Sequence, residues 1–94
     1  MPHQYLVHRA EDSVGVAVRD IAPGAAVPGR VQASGDQLAI DVRDPVPLGH
    51  KVALRDIAAG EQVIEYGVAI GLATSDIRTG QHVHVHNLKG QRWT

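Results

Sequence analysis

Ninety-four residues with 44% apolar side chains suit one domain, residues 1–94, with a modest core burying roughly 60–65% of the surface the unfolded chain exposes. Nine basic and ten acidic side chains nearly cancel and neither forms a run, so there is no basic stripe with aromatic platforms for a nucleic acid. The lack of cysteine excludes disulfides, thiolate metal sites and a cysteine nucleophile. With no leader-like start and no apolar run near ~20 residues, the expectation is a cytoplasmic protein that does not cross or bind a membrane.

The apolar residues are nearly all Val, Ile, Leu and Ala, and only Tyr5, Tyr66 and Trp93 are aromatic, a composition that favours strands. In chain order, "QYLVH" (4–8) predicts a first strand and "RAEDS" (9–13) a turn. "SVGVAVR" (13–19) predicts a second strand with Val14, Val16 and Val18 on one side. The octet "DIAPGAAV" (20–27) then opens a pattern, D-I-x-x-G-x-x-V, that recurs as "DIAAGEQV" (56–63) and "DIRTGQHV" (76–83). In each octet the Asp can cap a single turn by accepting N–H groups two or three residues on, and the Ile plugs the core. A left-handed Gly24, Gly60 or Gly80 stops the turn and the Val starts an extended segment. Intervals of 36 and 20 residues are too uneven for a solenoid.

Further along, "ASGDQ" (33–37) reads as a hairpin turn, and "QLAIDVR" (37–43) as a strand with Leu38, Ile40 and Val42 on one face. "DPVPLGH" (44–50) cannot be a central strand, because Pro45 and Pro47 lack donors. "KVALR" (51–55), "QVIEYG" (62–67), "VAIGLAT" (68–74) and "HVHVHN" (82–87) complete the predicted strands. The fold expected is all-β, a compact domain of short strands with three single-turn D-I-x-x-G corners.

Two stretches carry candidate chemistry. On a strand, His82, His84 and His86 share a face with a rise of ~3.3 Å per residue. Neighbouring pairs can then meet one metal ion, whereas all three span roughly 13 Å. Val83 and Val85 point the other way, to the core. A plain exposed strand face explains the same pattern about as well. In "PLGHK" (47–51), Gly49 bends the chain so that His50, a proton carrier near neutrality, sits beside Lys51, whose ammonium can hold a carboxylate. Taken alone, that dipeptide reads more readily as an ordinary loop. Weaker candidates are His3 and His8, Asp12 and Ser13 as turn chemistry, Glu65 and Tyr66, and Trp93 as an anchor on a partner. No G-x-S-x-G or G-x-G-x-x-G is present. A domain this small would share any substrate cleft with another chain.

The run "GHKVALRDIAAGEQVIEYGVAIGLATSDIRTGQHVHVHN" (49–87) resembles the N-terminal domain, or separate small subunit, of the altronate and galactarate dehydratase family. That unit is a SAF domain of the β-clip type. The front "HQYLVHRAEDSVGVAV" and the tail "NLKGQRW" are closer to the small subunit of (2R)-sulfolactate sulfo-lyase, a sister enzyme. The resemblance implies a β-elimination from a sugar acid, or from a sulfonated hydroxy acid, that yields a 2-keto acid with the help of a divalent metal such as iron(II). It implies a large catalytic subunit as partner. Carried onto this chain, it places His50 and Lys51 at the reaction as catalytic residues, and Lys51 and Asn87 at the substrate. One or two of His82, His84 and His86 would hold the metal or carry protons. A non-catalytic module that binds a sugar acid or metal, and a scaffold with incidental histidines, are the alternatives.

Overall fold

The structure, a computed structural model, describes residues 2–90; Trp93 lies outside them. The described residues contain no helix. Nine strands follow one another as β1 (Tyr5–Val7), β2 (Val14–Ala17), β3 (Gly24–Val31), β4 (Gln37–Val42), β5 (Lys51–Ala53), β6 (Gln62–Glu65), β7 (Val68–Ala73), β8 (His82–Val83) and β9 (Leu88–Gly90). They form a six-stranded sheet in the order β4-β3-β1-β2-β5-β8 and a three-stranded sheet in the order β6-β7-β9. Only β1 and β3 pair in parallel. The all-β expectation therefore holds.

β3 is the longest strand, yet its sequence "GAAVPGRV" does not read as one. Its weak points are absorbed by neighbours. Pairing with β1 begins at Gly29, just past Pro28, and the Gln4 N–H reaches the Pro28 carbonyl from outside the ladder. Tyr5 lies flat over Gly29, where any Cβ would collide with the ring, and its hydroxyl donates to the Val27 carbonyl at 3.0 Å. Burial of that phenol pushes its pKa up to about 12. β9 was likewise not expected.

The core is divided by the β2–β5 wall. Ala17 and Val52 face one cluster, with Tyr5, Val7, Ile21, Val31, Val42 and Val46. Val14 and Ala53 face the other, with Ile57, Val63, Ala73, Ile77 and Val83. A strand that alternates between two cores is buried on both sides. The expected one-sided stripe in β2 is thus corrected: Val14 is buried, Val16 half-buried and Val18 exposed.

The corners number four rather than three, and they work in pairs. Ile57 and Ile77 exchange both backbone hydrogen bonds across an isolated bridge, and Ile21 does the same with Val46. Val46 belongs to the fourth corner, "PVPLGHKV" (45–52), with Pro in place of Asp and Val in place of Ile. In three corners a turn closes between the first and fourth residue, Pro47–His50, Ala58–Glu61 and Arg78–Gln81, with a left-handed Gly third.

Each Asp caps the opposite corner, not its own as expected. Asp56 accepts from the Thr79 N–H, and Asp76 from the Ala59 N–H, both at 2.9 Å. In the other pair Asp20 accepts from the Leu48 N–H at 2.9 Å. The reverse contact is absent on both sides at once, because Pro45 stands where the acid would be and Pro23 where the N–H would be. Gly24 departs from the expectation too. The left-handed residue in that corner is Ala26 (φ 50°), whose N–H is held by the Asp41 carboxylate at 2.9 Å.

Candidate functional site

Corner four and the end of β8 bring three imidazoles together. β5 pairs antiparallel with β8, Lys51 opposite Val83 and Val52 opposite His82, so the residues flanking these strands are neighbours. His50 Nδ1 lies 2.8 Å from His82 Nε2. The His50 ring stacks on His84 with centroids 4.0 Å apart and planes 20° from parallel.

Why His50 is available follows from the corner chemistry. In the equivalent position of the other two turns, Glu61 and Gln81 fold back to accept the turn's own first N–H, that of Ala58 and Arg78 respectively. Corner four begins this turn with Pro47, which has no N–H. The side chain at position 50 has no such donor to satisfy and faces His82 instead.

His84 and His86 do not continue a strand. β8 stops at Val83, and His84–Asn87 is a tight turn in which the Asn87 and Leu88 N–H groups both reach the His84 carbonyl. Asn87 is buried and builds the turn. Its Oδ1 accepts from the His84 N–H at 3.0 Å, and its Nδ2 donates to the His82 carbonyl at 2.9 Å. The expected 13 Å row therefore folds up: His84 turns back onto His50, and His86 comes to 5.1 Å from His82, centroid to centroid. Val83 is fully buried, whereas Val85 is 81% exposed at the tip of the turn, not packed in the core as expected. The Asn87 amide, expected at the substrate, is committed to the main chain.

The electrostatics favour the neutral imidazole at His82 and His84. The His82 pKa is lowered by burial first and then by His50, His86 and His84, against the opposing pull of Asp44. Asp44, a residue the sequence did not single out, also accepts the His82 N–H at 3.0 Å. The His84 pKa is lowered by desolvation, then by His50, Lys51 and His86. Lys51 follows His50 directly in the chain, and its positive charge acts on His84.

Neutral imidazole is the form that binds metal. One ligand nitrogen from each of His50, His82 and His84 lies within 4.8 Å of the others. Two ligands at ~2.1 Å from one ion can be about 4 Å apart, so this donor set suits a divalent ion that accepts nitrogen. His86 stands outside the trio.

The weaker candidates gather elsewhere. His8 stacks on Tyr66 with centroids 3.4 Å apart, donates from Nδ1 to Gln32 Oε1 at 3.0 Å, and lies 3.9 Å from Glu65. Asp12 and Ser13 serve the backbone, as a turn reading expects: the Asp12 carboxylate holds the N–H groups of Arg9, Tyr66 and Gly67, and Ser13 Oγ that of Ile64. This group sits at the Val14 end of β2, while His50 sits at the Ala17 end. The described residues include no helix long and apolar enough to cross a membrane.

Against known proteins, residues 3–91 match the altronate/galactarate dehydratase SAF domain. The (2R)-sulfolactate sulfo-lyase subunit alpha of Chromohalobacter salexigens is 45% identical over 94 residues, covering 99% of this chain and all of that one. The altronate dehydratase of Escherichia coli is 45% identical over 86 residues, covering 92% of this chain but only 16% of the enzyme. A second sulfolactate sulfo-lyase subunit alpha, from Paracoccus pantotrophus, is 40% identical over 63 residues, 67% of this chain and 94% of that one.

Proposed function

The chain belongs to the altronate/galactarate dehydratase SAF domain family, and on that premise we propose that it is the small subunit of a sugar-acid dehydratase, a hydro-lyase whose β-elimination site is completed by a large polypeptide. The observation that carries this reading is the convergence of His50, His82 and His84 beside Lys51. Each came from a stretch with an ordinary explanation of its own, and the two stretches meet.

The reaction begins with loss of the proton next to the substrate carboxylate. The C–O bond at the adjacent carbon then breaks, the departing hydroxide takes up the proton just removed and leaves as water, and the enol becomes a 2-keto acid as its hydroxyl proton moves to that carbon. Lys51 holds the carboxylate, which makes the neighbouring proton easier to remove. His86, beside His82 but outside the donor trio, carries that proton. Asn87 positions His84 through the turn. A divalent ion such as iron(II), held by His50, His82 and His84, would supply the positive charge that stabilises the enediolate.

A second reading, elimination of sulfite from (2R)-sulfolactate, draws on one observation. Identity to the sulfo-lyase subunit matches that to altronate dehydratase, 45% in each case, but runs over 94 residues instead of 86. The test is co-expression with the large lyase chain of the same genome, followed by 2-keto acid assay on altronate, galactarate and sulfolactate. His50→Ala and His84→Ala should each lower turnover at least ~100-fold. Full activity in both variants would leave the cluster without a role.

A further inference from the structure

The large apolar side chains that the described residues expose fall at two ends of the molecule. Tyr66 and Val68 mark the tip of the β6–β7 hairpin. Val18, Leu48 and Val85 lie at the opposite end, around the histidines. Leu48 (62% exposed) stands on the turn that delivers His50, and Val85 (81% exposed) on the turn that delivers His84 and His86. Val18 follows Ala17, whose N–H and carbonyl bond His50 and Gly49.

Leu48 is anomalous for its place. The equivalent residues of the other corners are Pro23, Ala59 and Thr79, all smaller or polar. A corner needs no large apolar residue there, and a leucine held in water contributes nothing to folding. Tyr66 differs, since one face of its ring already rests on His8.

We infer that Val18, Leu48 and Val85 form a docking face that seats the large lyase polypeptide directly over the histidine cluster. This rests on reading the chain as the SAF unit of such a lyase. The occupant follows from three facts. His84 and His86 are exposed and His50 and His82 half-buried. The depressions at the two corner pairs, about 260 and 270 Å³, contain no histidine and cannot serve instead. And in the Escherichia coli relative this unit is 16% of the chain, so most of the enzyme must meet it somewhere. Apolar side chains ringing a polar centre exclude water from it once covered, as interface rims do. A second copy on the same face would set two histidine clusters against each other and shut both off from substrate.

The test measures association of the full chain with the large lyase polypeptide of the same genome by sedimentation velocity. Leu48→Glu and Val85→Glu should each weaken binding at least ~10-fold. A Tyr66→Ser, Val68→Ser double variant, at the other end, should bind like wild type. Circular dichroism and cobalt(II) uptake by the isolated variants check that fold and cluster persist. Hydroxyl-radical footprinting of the wild-type assembly gives a second readout, with Leu48 and Val85 protected and Tyr66 unchanged. Normal affinity of both Glu variants, protection of Tyr66 in place of Leu48, or dimerisation of the chain alone through Leu48 would overturn the inference. Should the Glu variants bind normally while the histidine variants lose activity, the docking face falls and the lyase reading stands. The reverse result separates them the other way.

Discussion

At the scale of single residues, Asn87 shows how a side chain can matter to a site it does not enter. Its carboxamide joins the His84 N–H to the His82 carbonyl, and replacing it leaves two main-chain groups in a half-closed turn without partners. Asn87→Ala should cost about 1–3 kcal/mol of stability in urea unfolding and weaken cobalt(II) binding, whereas Asn87→Asp, which keeps the acceptor, should lose less of both. Equal loss in the two variants would mean that the turn does not depend on this acceptor. His82 makes a pH prediction. Its folded pKa lies below the ordinary value of about 6.5, so the unfolded chain takes up its proton first as pH falls. The contribution to stability is whole above that value and is lost on acidification toward the folded pKa. In metal-free protein the melting temperature should therefore drop between about pH 7.5 and pH 5.5, and His82→Gln should flatten the slope. An unchanged slope would assign the titration to another group.

Among elements, the corners separate what sequence conveys from what it hides. D-I-x-x-G-x-x-V exposed three of them because its letters recur at fixed spacing and its Ile is buried each time, although each Asp serves the opposite corner. The fourth was hidden because Pro45 and Val46 replace the two most recognisable letters, and the partner of an exchanged cap cannot be read from one corner alone. β3 escaped notice for a related reason: Pro28, Gly24 and Gly29 lower its local propensity, and Tyr5 and Asp41, distant in sequence, make it tenable. The histidine trio was half legible. The composition of "HVHVHN" pointed to chemistry, but its period of two implied a straight strand, and the turn is made by Asn87, whose bonds the period does not encode. The paired corners at Ile57 and Ile77 also hold unequal glycines. At Gly60 (φ 87°) a Cβ would meet nothing within 4 Å, so Gly60→Ala should cost only the backbone strain, about 1–2 kcal/mol. At Gly80, with the same φ, a Cβ would collide with the Asp41 carbonyl of β4. Gly80→Ala should therefore cost well over that amount, and thermal melts of the two variants compare them directly. Similar melting temperatures would show that β4 yields easily at this corner.

For the molecule as a whole, the question is what this chain can do by itself. Its two core clusters, on either side of the β2–β5 wall, are built of aliphatic side chains and Tyr5, and no histidine belongs to either of them. The site is a group of side chains on two turns, with His84 and His86 exposed. It offers a substrate ligands and a cation, but β-elimination also depends on walls. The proton next to a carboxylate leaves only if the developing charge meets fixed partners with water kept away, and a small acid held by Lys51 alone stays solvated on most of its surface. The isolated chain should thus bind a divalent ion through His50, His82 and His84 and yet turn over none of altronate, galactarate or sulfolactate at a rate above the metal in buffer. Adding the large polypeptide should restore turnover, and His84→Ala should abolish it in the mixture while leaving assembly intact. Turnover by the purified chain alone would mean that these two turns already enclose enough of the substrate, and the partner would then have to be assigned a role other than closing the site.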